Sequence, residues 1–189
     1  MWRPRFPELF GSRTHDFAGV GFGHLSLRFT LSTPPDALVS NVRVIGLRRG
    51  RIVLCSNDLG WRFLPGGTRE PGERVQDTAE RELLEEAGAV LRGPMTTVGA
   101  FKVHNAAAPY RPHLPHPDSY WLYVTAEVEI RQPPTNPASG EHVTDVLELP
   151  PGEAIAYLGQ FDNVMADTLR LFVEMSGVEL GSPVNPPEA

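Results

Sequence analysis

The stretch from Pro65 to Gly88 constrains this chain more than any other. Its second half repeats with the period of a helix, predicted from about Arg74 to Ala87, with Gly88 placed to end it. At about 100 degrees per residue, Val75, Ala79, Leu83 and Ala87 form one apolar stripe. Glu82, Glu85 and Glu86 lie three and four residues apart and share a face. Glu86 projects between Val75 and Ala79, inside the apolar arc, and Glu82 lies at its edge. The ordinary fate of such a cluster is a solvated acidic surface. Two costs oppose that here. A carboxylate inside the apolar arc is expensive to bury without a partner. Like charges at i,i+4 also weaken a helix, by roughly 0.2–0.5 kcal/mol per pair. A divalent cation relieves both, and carboxylate oxygens on one helix face suit Mg²⁺ or Mn²⁺. Ahead of the helix, Pro65-Gly66-Gly67 and Pro71-Gly72 predict a compact turn whose glycines admit close backbone approach.

Around this segment the pattern alternates between strand and turn. Leu25, Leu27, Phe29 and Leu31 alternate with polar residues and predict a half-buried strand. A second strand is predicted over Val39 to Arg48, a hairpin turn at Arg49-Gly50, and a return strand over Ile52 to Ser56. Trp61 to Leu64 reads as a short apolar strand. After the helix, strands are predicted over Met95 to His104, Ser119 to Arg131 and His142 to Leu149. Helices are predicted over Gly152 to Leu158 and Asp162 to Met175. The prolines between Asn105 and Asp118 exclude regular structure there. Residues 1–23 read as an irregular N-terminal segment, 24–178 as one globular domain, and 179–189 as a disordered Pro-rich tail.

Composition narrows the functional classes. At 189 residues and 41% apolar content the chain is large enough for one globular core. A net charge of −6 argues against a stable nucleic-acid partner, because phosphate backbones are held mainly by Lys and Arg. Small phosphorylated substrates stay open, since a metal can supply the positive charge. Cys55 is the single cysteine; it sits in the run Ile52-Val53-Leu54-Cys55 and reads as a buried strand residue. No stretch approaches a membrane span or a secretory signal, so the expectation is a cytoplasmic protein.

Residues 66–89, GGTREPGERVQDTAERELLEEAGA, resemble the signature of the Nudix hydrolase family. The matching positions are Gly67, Glu73, Arg81, Glu82, Leu83, Glu85, Glu86, Gly88 and Ala89, the last smaller than the family's usual aliphatic residue. The resemblance implies an α+β fold, an α/β/α sandwich around a mixed β-sheet, and hydrolysis of a diphosphate linkage in a small-molecule substrate. It implies that Glu82, Glu85 and Glu86 ligate Mg²⁺ or Mn²⁺ and that Glu82 helps activate water. It implies that Arg81 and Glu73 pair to brace the helix and that Gly67 gives backbone contact near metal or phosphate. Family members often recruit a further acidic residue, for which Glu141 is the candidate. Glu148 stands where the family often has tryptophan.

The Pro-rich segment reads as a substrate-facing loop, with Tyr110 and His113 as candidate substrate contacts. Tyr120 and Trp121 serve stacking or core packing equally well. His104, His113 and His116 do not match a standard zinc spacing. Two other classes compete. Isopentenyl diphosphate isomerases share the fold but need a catalytic cysteine and further ligands, and a non-catalytic sensing module would tend to lose the glutamates. The substrate stays open among nucleoside diphosphate derivatives and nucleoside triphosphates, and a homodimer is left open.

Overall fold

The computed structural model describes residues 2–17, 23–137 and 142–177. Among them the elements run α1 (Pro7–Phe10), β1 (Arg13–Phe17), β2 (Gly23–Thr30), β3 (Val39–Arg48), β4 (Arg51–Asn57), β5 (Arg62–Phe63) and β6 (Gly66–Thr68). Then follow α2 (Val75–Ala87), β7 (Ala89–Leu91), β8 (Thr96–Asn105), β9 (Asp118–Ile130), β10 (Val143–Leu149), α3 (Pro151–Gly159) and α4 (Asn163–Ser176).

The strands assemble in the order β1-β2-β8-β9-β3-β4-β10. The β3–β9 pair is parallel and the other pairs are antiparallel. Strands β3 and β4 form the expected hairpin, and its turn residues Arg49 and Gly50 both have positive φ, at 52° and 75°, as a turn matched to strand twist requires. Ile52, Val53, Leu54 and Cys55 on β4 all have zero exposure. Successive strand residues point to opposite faces, so four buried in a row mean that both faces are covered. Helix α2 packs on β3, β4, β6, β7 and β10. Helix α3 packs on β4, β5, β10 and α4, and α4 reaches α1. The result is the expected α+β fold with a mixed sheet.

Three features differ from the sequence reading. Residues 1–23 are not uniformly irregular, since α1 and β1 occupy part of that range. Phe6, Leu9 and Phe10 are buried, with the Phe10 ring edge-on to Phe29 at 5.5 Å. Strand β1 carries no hydrophobic alternation, and its backbone joins the sheet by pairing Arg13–Phe17 with β2. Gly66–Thr68, which overlaps the turn predicted at Pro65-Gly66-Gly67, and Ala89–Leu91, to which the sequence assigns no element, are short strands pairing with β3 and β9. Each has only three residues, too few for a periodic signal, and exists because a neighbouring strand offers its backbone groups. The expected tail at 179–189 lies outside the described residues.

Candidate active site

The site is built where β6 runs beneath α2. At the start of the helix, the Asp77 carboxylate accepts the Arg74 backbone N–H at 2.9 Å. At the end, Gly88 has φ 58°, and a Cβ there would lie 1.8 Å from the Gln132 carbonyl oxygen. Only glycine fits that junction, where Arg131 N–H donates to the Gly88 carbonyl at 2.9 Å. Both ends of α2 are therefore held, and its carboxylates are presented from a fixed frame.

The placement predicted from the helical wheel is observed. Glu82 and Glu86 are each only 7% exposed. The Gly66 N–H donates to Glu86 Oε2 at 2.7 Å, so backbone from β6 partners the carboxylate inside the apolar arc. Glu82 packs against Gly67 so closely that a Cβ at Gly67 would lie 2.3 Å from Glu82 Oε1. Burial pushes the Glu82 carboxyl above its usual range, and the Arg81 and Arg43 guanidinium groups offset this only in part.

Arg81 is the hub of the cluster. Its Nε donates to Glu73 Oε1 at 2.7 Å and its Nη2 to Glu73 Oε2 at 3.1 Å, the two-pronged pairing that a planar guanidinium favours. Nη2 also reaches the Thr68 carbonyl at 3.0 Å. Nη1 donates to Glu82 Oε1 at 2.8 Å and to Glu85 Oε2 at 3.1 Å. Glu73 Oε2 additionally accepts from the Thr78 hydroxyl at 2.9 Å and the Glu70 N–H at 2.8 Å. Burial alone would raise the Glu73 carboxyl, but these donors outweigh it and hold Glu73 below its usual range. Burial likewise opposes the charge on Arg81, and Glu73 and Glu82 overcome it. The predicted Glu73–Arg81 brace thus extends to Glu82, Glu85 and the β6 backbone.

The donor set suits a hard divalent ion, because every candidate ligand is a carboxylate. Gly67 also brings the β6 backbone against the Glu82 carboxylate more closely than a residue with a Cβ would allow. Among the described residues no three acidic, histidine or cysteine groups converge as a finished metal cluster. Arg81 Nη1 bridges Glu82 and Glu85, and the Gly66 N–H takes one oxygen of Glu86. Glu141 lies outside the described residues. Glu148 is paired with Arg48 at 2.7 Å.

The Pro-rich loop divides the two predicted substrate contacts. Tyr110 lines a small cavity of about 30 Å³ together with Ser40, Ser119, Trp121 and His116. His113 instead sends its Nε2 to the Arg69 carbonyl at 2.9 Å and ties the loop to the turn before α2. His104 pairs with Asp118 at 3.0 Å. Cys55 is fully buried, and its thiol donates to the Glu86 carbonyl at 3.3 Å. It supports α2 from behind and has no surface from which to act as a nucleophile.

Arg43 went unnoticed in the sequence. Its only signal is a cation interrupting the run Val42-Arg43-Val44-Ile45 on β3. It pairs across the strands with Gly66 and Tyr123, and its charge acts on Glu82.

Fold and site together define an α+β protein that presents a carboxylate cluster on one helix beside a glycine strand. The family model of the NUDIX domain matches residues 37–172, and the chain belongs to the Nudix hydrolase family. Solved structures agree on the fold. A Bacillus subtilis pyrophosphohydrolase aligns with TM-score 0.60 at 18% identity, covering 88% of this chain and 99% of that one. A NUDIX hydrolase from Nitrosomonas europaea aligns with TM-score 0.52 at 17% identity, covering 74% and 90%. An ADP compounds hydrolase aligns with TM-score 0.50 at 14% identity, covering 82% and 89%. No curated protein matches the sequence. Among the described residues, no helix is long and apolar enough to cross a membrane.

Proposed function

We propose that this protein hydrolyses a diphosphate linkage in a nucleoside diphosphate derivative or a nucleoside triphosphate, with Mg²⁺ or Mn²⁺. The observation that carries the reading is the burial of Glu82 and Glu86 on α2, with the β6 backbone at Gly66 and Gly67 set directly against their carboxylates. Glu82, Glu85 and Glu86 are the residues to hold the metal, with Glu141 as a further candidate. When bound, the ion supplies charge neutralisation at the phosphoryl oxygens and acidifies a bound water.

The chain's own groups do the rest. Glu82 Oε1 is engaged by Arg81, which leaves Oε2 to take the proton of the attacking water. Arg81 and Glu73 keep α2 and β6 in register, so that carboxylates and glycine backbone stay aligned. Gly67, where any side chain would displace the Glu82 carboxylate, keeps the β6 backbone close enough to contact metal or phosphate. Water attacks one phosphorus and a P–O bond of the bridge breaks, giving two phosphorylated products and a proton. Tyr110 is assigned to the leaving group through the cavity it lines, and His113 to holding the loop in place.

A screen for phosphate and pyrophosphate release over ADP-ribose, dinucleoside polyphosphates and nucleoside triphosphates tests the reading. Turnover is expected with Mg²⁺ or Mn²⁺ and none in excess chelator. Full activity in chelator, or no turnover of any diphosphate, overturns it.

A further inference from the structure

We propose that Arg43 is a substrate-binding residue that holds the charged phosphoryl group of the substrate beside Glu82. The inference rests on the reading that this site takes a diphosphate. Arg43 stands on β3 and is half-buried, its side chain on the face opposite to the fully buried Val42 and Val44. A guanidinium in such a place normally has an acidic partner, because an unpaired charge is costly away from water. Among the described residues none lies within salt-bridge distance of Arg43. Among the described residues its side chain donates Nη1 to the Leu64 carbonyl at 3.2 Å, one of the five N–H donors that a guanidinium carries.

The position matches the need. Arg43 pairs with Gly66 across β3 and β6, so it flanks the strand whose next residue touches Glu82. Its charge acts on both Glu82 and Tyr123. Along β3 in the other direction, Ser40 opens the cavity shared with Trp121 and Tyr110. At roughly 3.3 Å per strand residue, Ser40 and Arg43 stand about 10 Å apart along the strand. That separation lets one nucleotide place its diphosphate at Arg43 and direct its nucleoside toward the half-buried Trp121 at the mouth of that cavity, whose volume of about 30 Å³ admits no base. An arginine engaged by one carbonyl is held in place and still presents a fork to a phosphate.

Calorimetric titration in excess chelator, which separates binding from turnover, tests this with ADP, inorganic pyrophosphate and adenosine as probes. The wild-type protein is expected to bind ADP and pyrophosphate. Arg43→Gln is expected to weaken both about 10- to 100-fold, as loss of charge-assisted hydrogen bonds implies. Adenosine affinity should not change, and Arg43→Lys should fall between. Melting curves check that each variant is folded. If Arg43→Gln lowers the melting temperature but binds ADP as the wild type does, Arg43 is only a tether for Leu64 and the proposal is wrong. A wild-type protein that turns over a diphosphate with Mg²⁺ yet binds neither ADP nor pyrophosphate also overturns it, and leaves the hydrolase reading standing. Arg43-dependent ADP binding without turnover of any diphosphate does the reverse.

Discussion

Gly67→Ala separates the chemistry of the site from the stability of the fold. The added Cβ would lie 2.3 Å from Glu82 Oε1, 2.6 Å from its Cδ and 2.8 Å from its Oε2. Restoring an ordinary contact requires the carboxylate to retreat by roughly 1 Å. The colliding atoms are the far end of a flexible side chain, and Gly67 does not need a positive φ. The folding cost therefore sits at the low end of overpacking, about 1 kcal/mol. That lowers Tm by about 2–4 °C in a chain of this length. The catalytic cost is larger, because a 1 Å displacement of an aligned group loses about 100-fold in rate. Gly88→Ala is the contrast. Its Cβ would strike the Gln132 carbonyl oxygen at 1.8 Å from a backbone with φ 58°, so neither partner can yield cheaply and the fold itself suffers. Melting curves and kcat on one substrate, measured for both variants, decide the matter. A Gly67→Ala protein with wild-type kcat, or one that melts as early as Gly88→Ala, refutes the reasoning.

Two further outcomes follow from the same geometry. Glu86→Gln keeps an oxygen to accept the Gly66 N–H, so the metal-free protein should melt at or slightly above the wild-type temperature. Its turnover should fall about 100-fold or more and its Mg²⁺-induced stabilisation should shrink. Glu80→Gln is the control: Glu80 is exposed with Gln76 as its neighbour at 2.8 Å, and near-equal losses for the two variants would show that α2 is not the metal site. Burial pushes the Tyr123 phenol from 10.0 up to about 12. A folded-state pKa above the unfolded one means stability that is complete below pH 10 and lost as the pH rises from 10 towards 12. Two pKa units correspond to about 2–3 kcal/mol. Tyr123→Phe should therefore flatten the alkaline fall in stability, measured by urea unfolding at pH 8 and pH 11, and an unchanged slope would refute the burial argument.

What the sequence by itself determined is the part encoded in short-range order. Alternation in 25–31 and the breaker pairs around 33–36 and 49–50 located strands β2, β3 and β4. The four-residue spacing of Val75, Ala79, Leu83 and Ala87, closed by Gly88, located α2, and the same wheel placed Glu86 among apolar neighbours. These are properties of one segment and its period. The tertiary structure alone decided which segments meet. Gly66–Thr68 has no strand propensity and became β6 because β3 had an edge to pair. The parallel β3–β9 pairing set Arg43 beside Tyr123, from a strand some eighty residues away in the chain. Arg81 could be matched to Glu73 from the resemblance, but its reach to Glu82, Glu85 and the Thr68 carbonyl depends on how closely α2 sits on β6. Cys55 could be read as buried from its apolar run, whereas its bond to the Glu86 carbonyl required β4 to pass behind that helix. Period and propensity act over a few residues, while pairing partners and packing distances arise only when distant segments exclude water together.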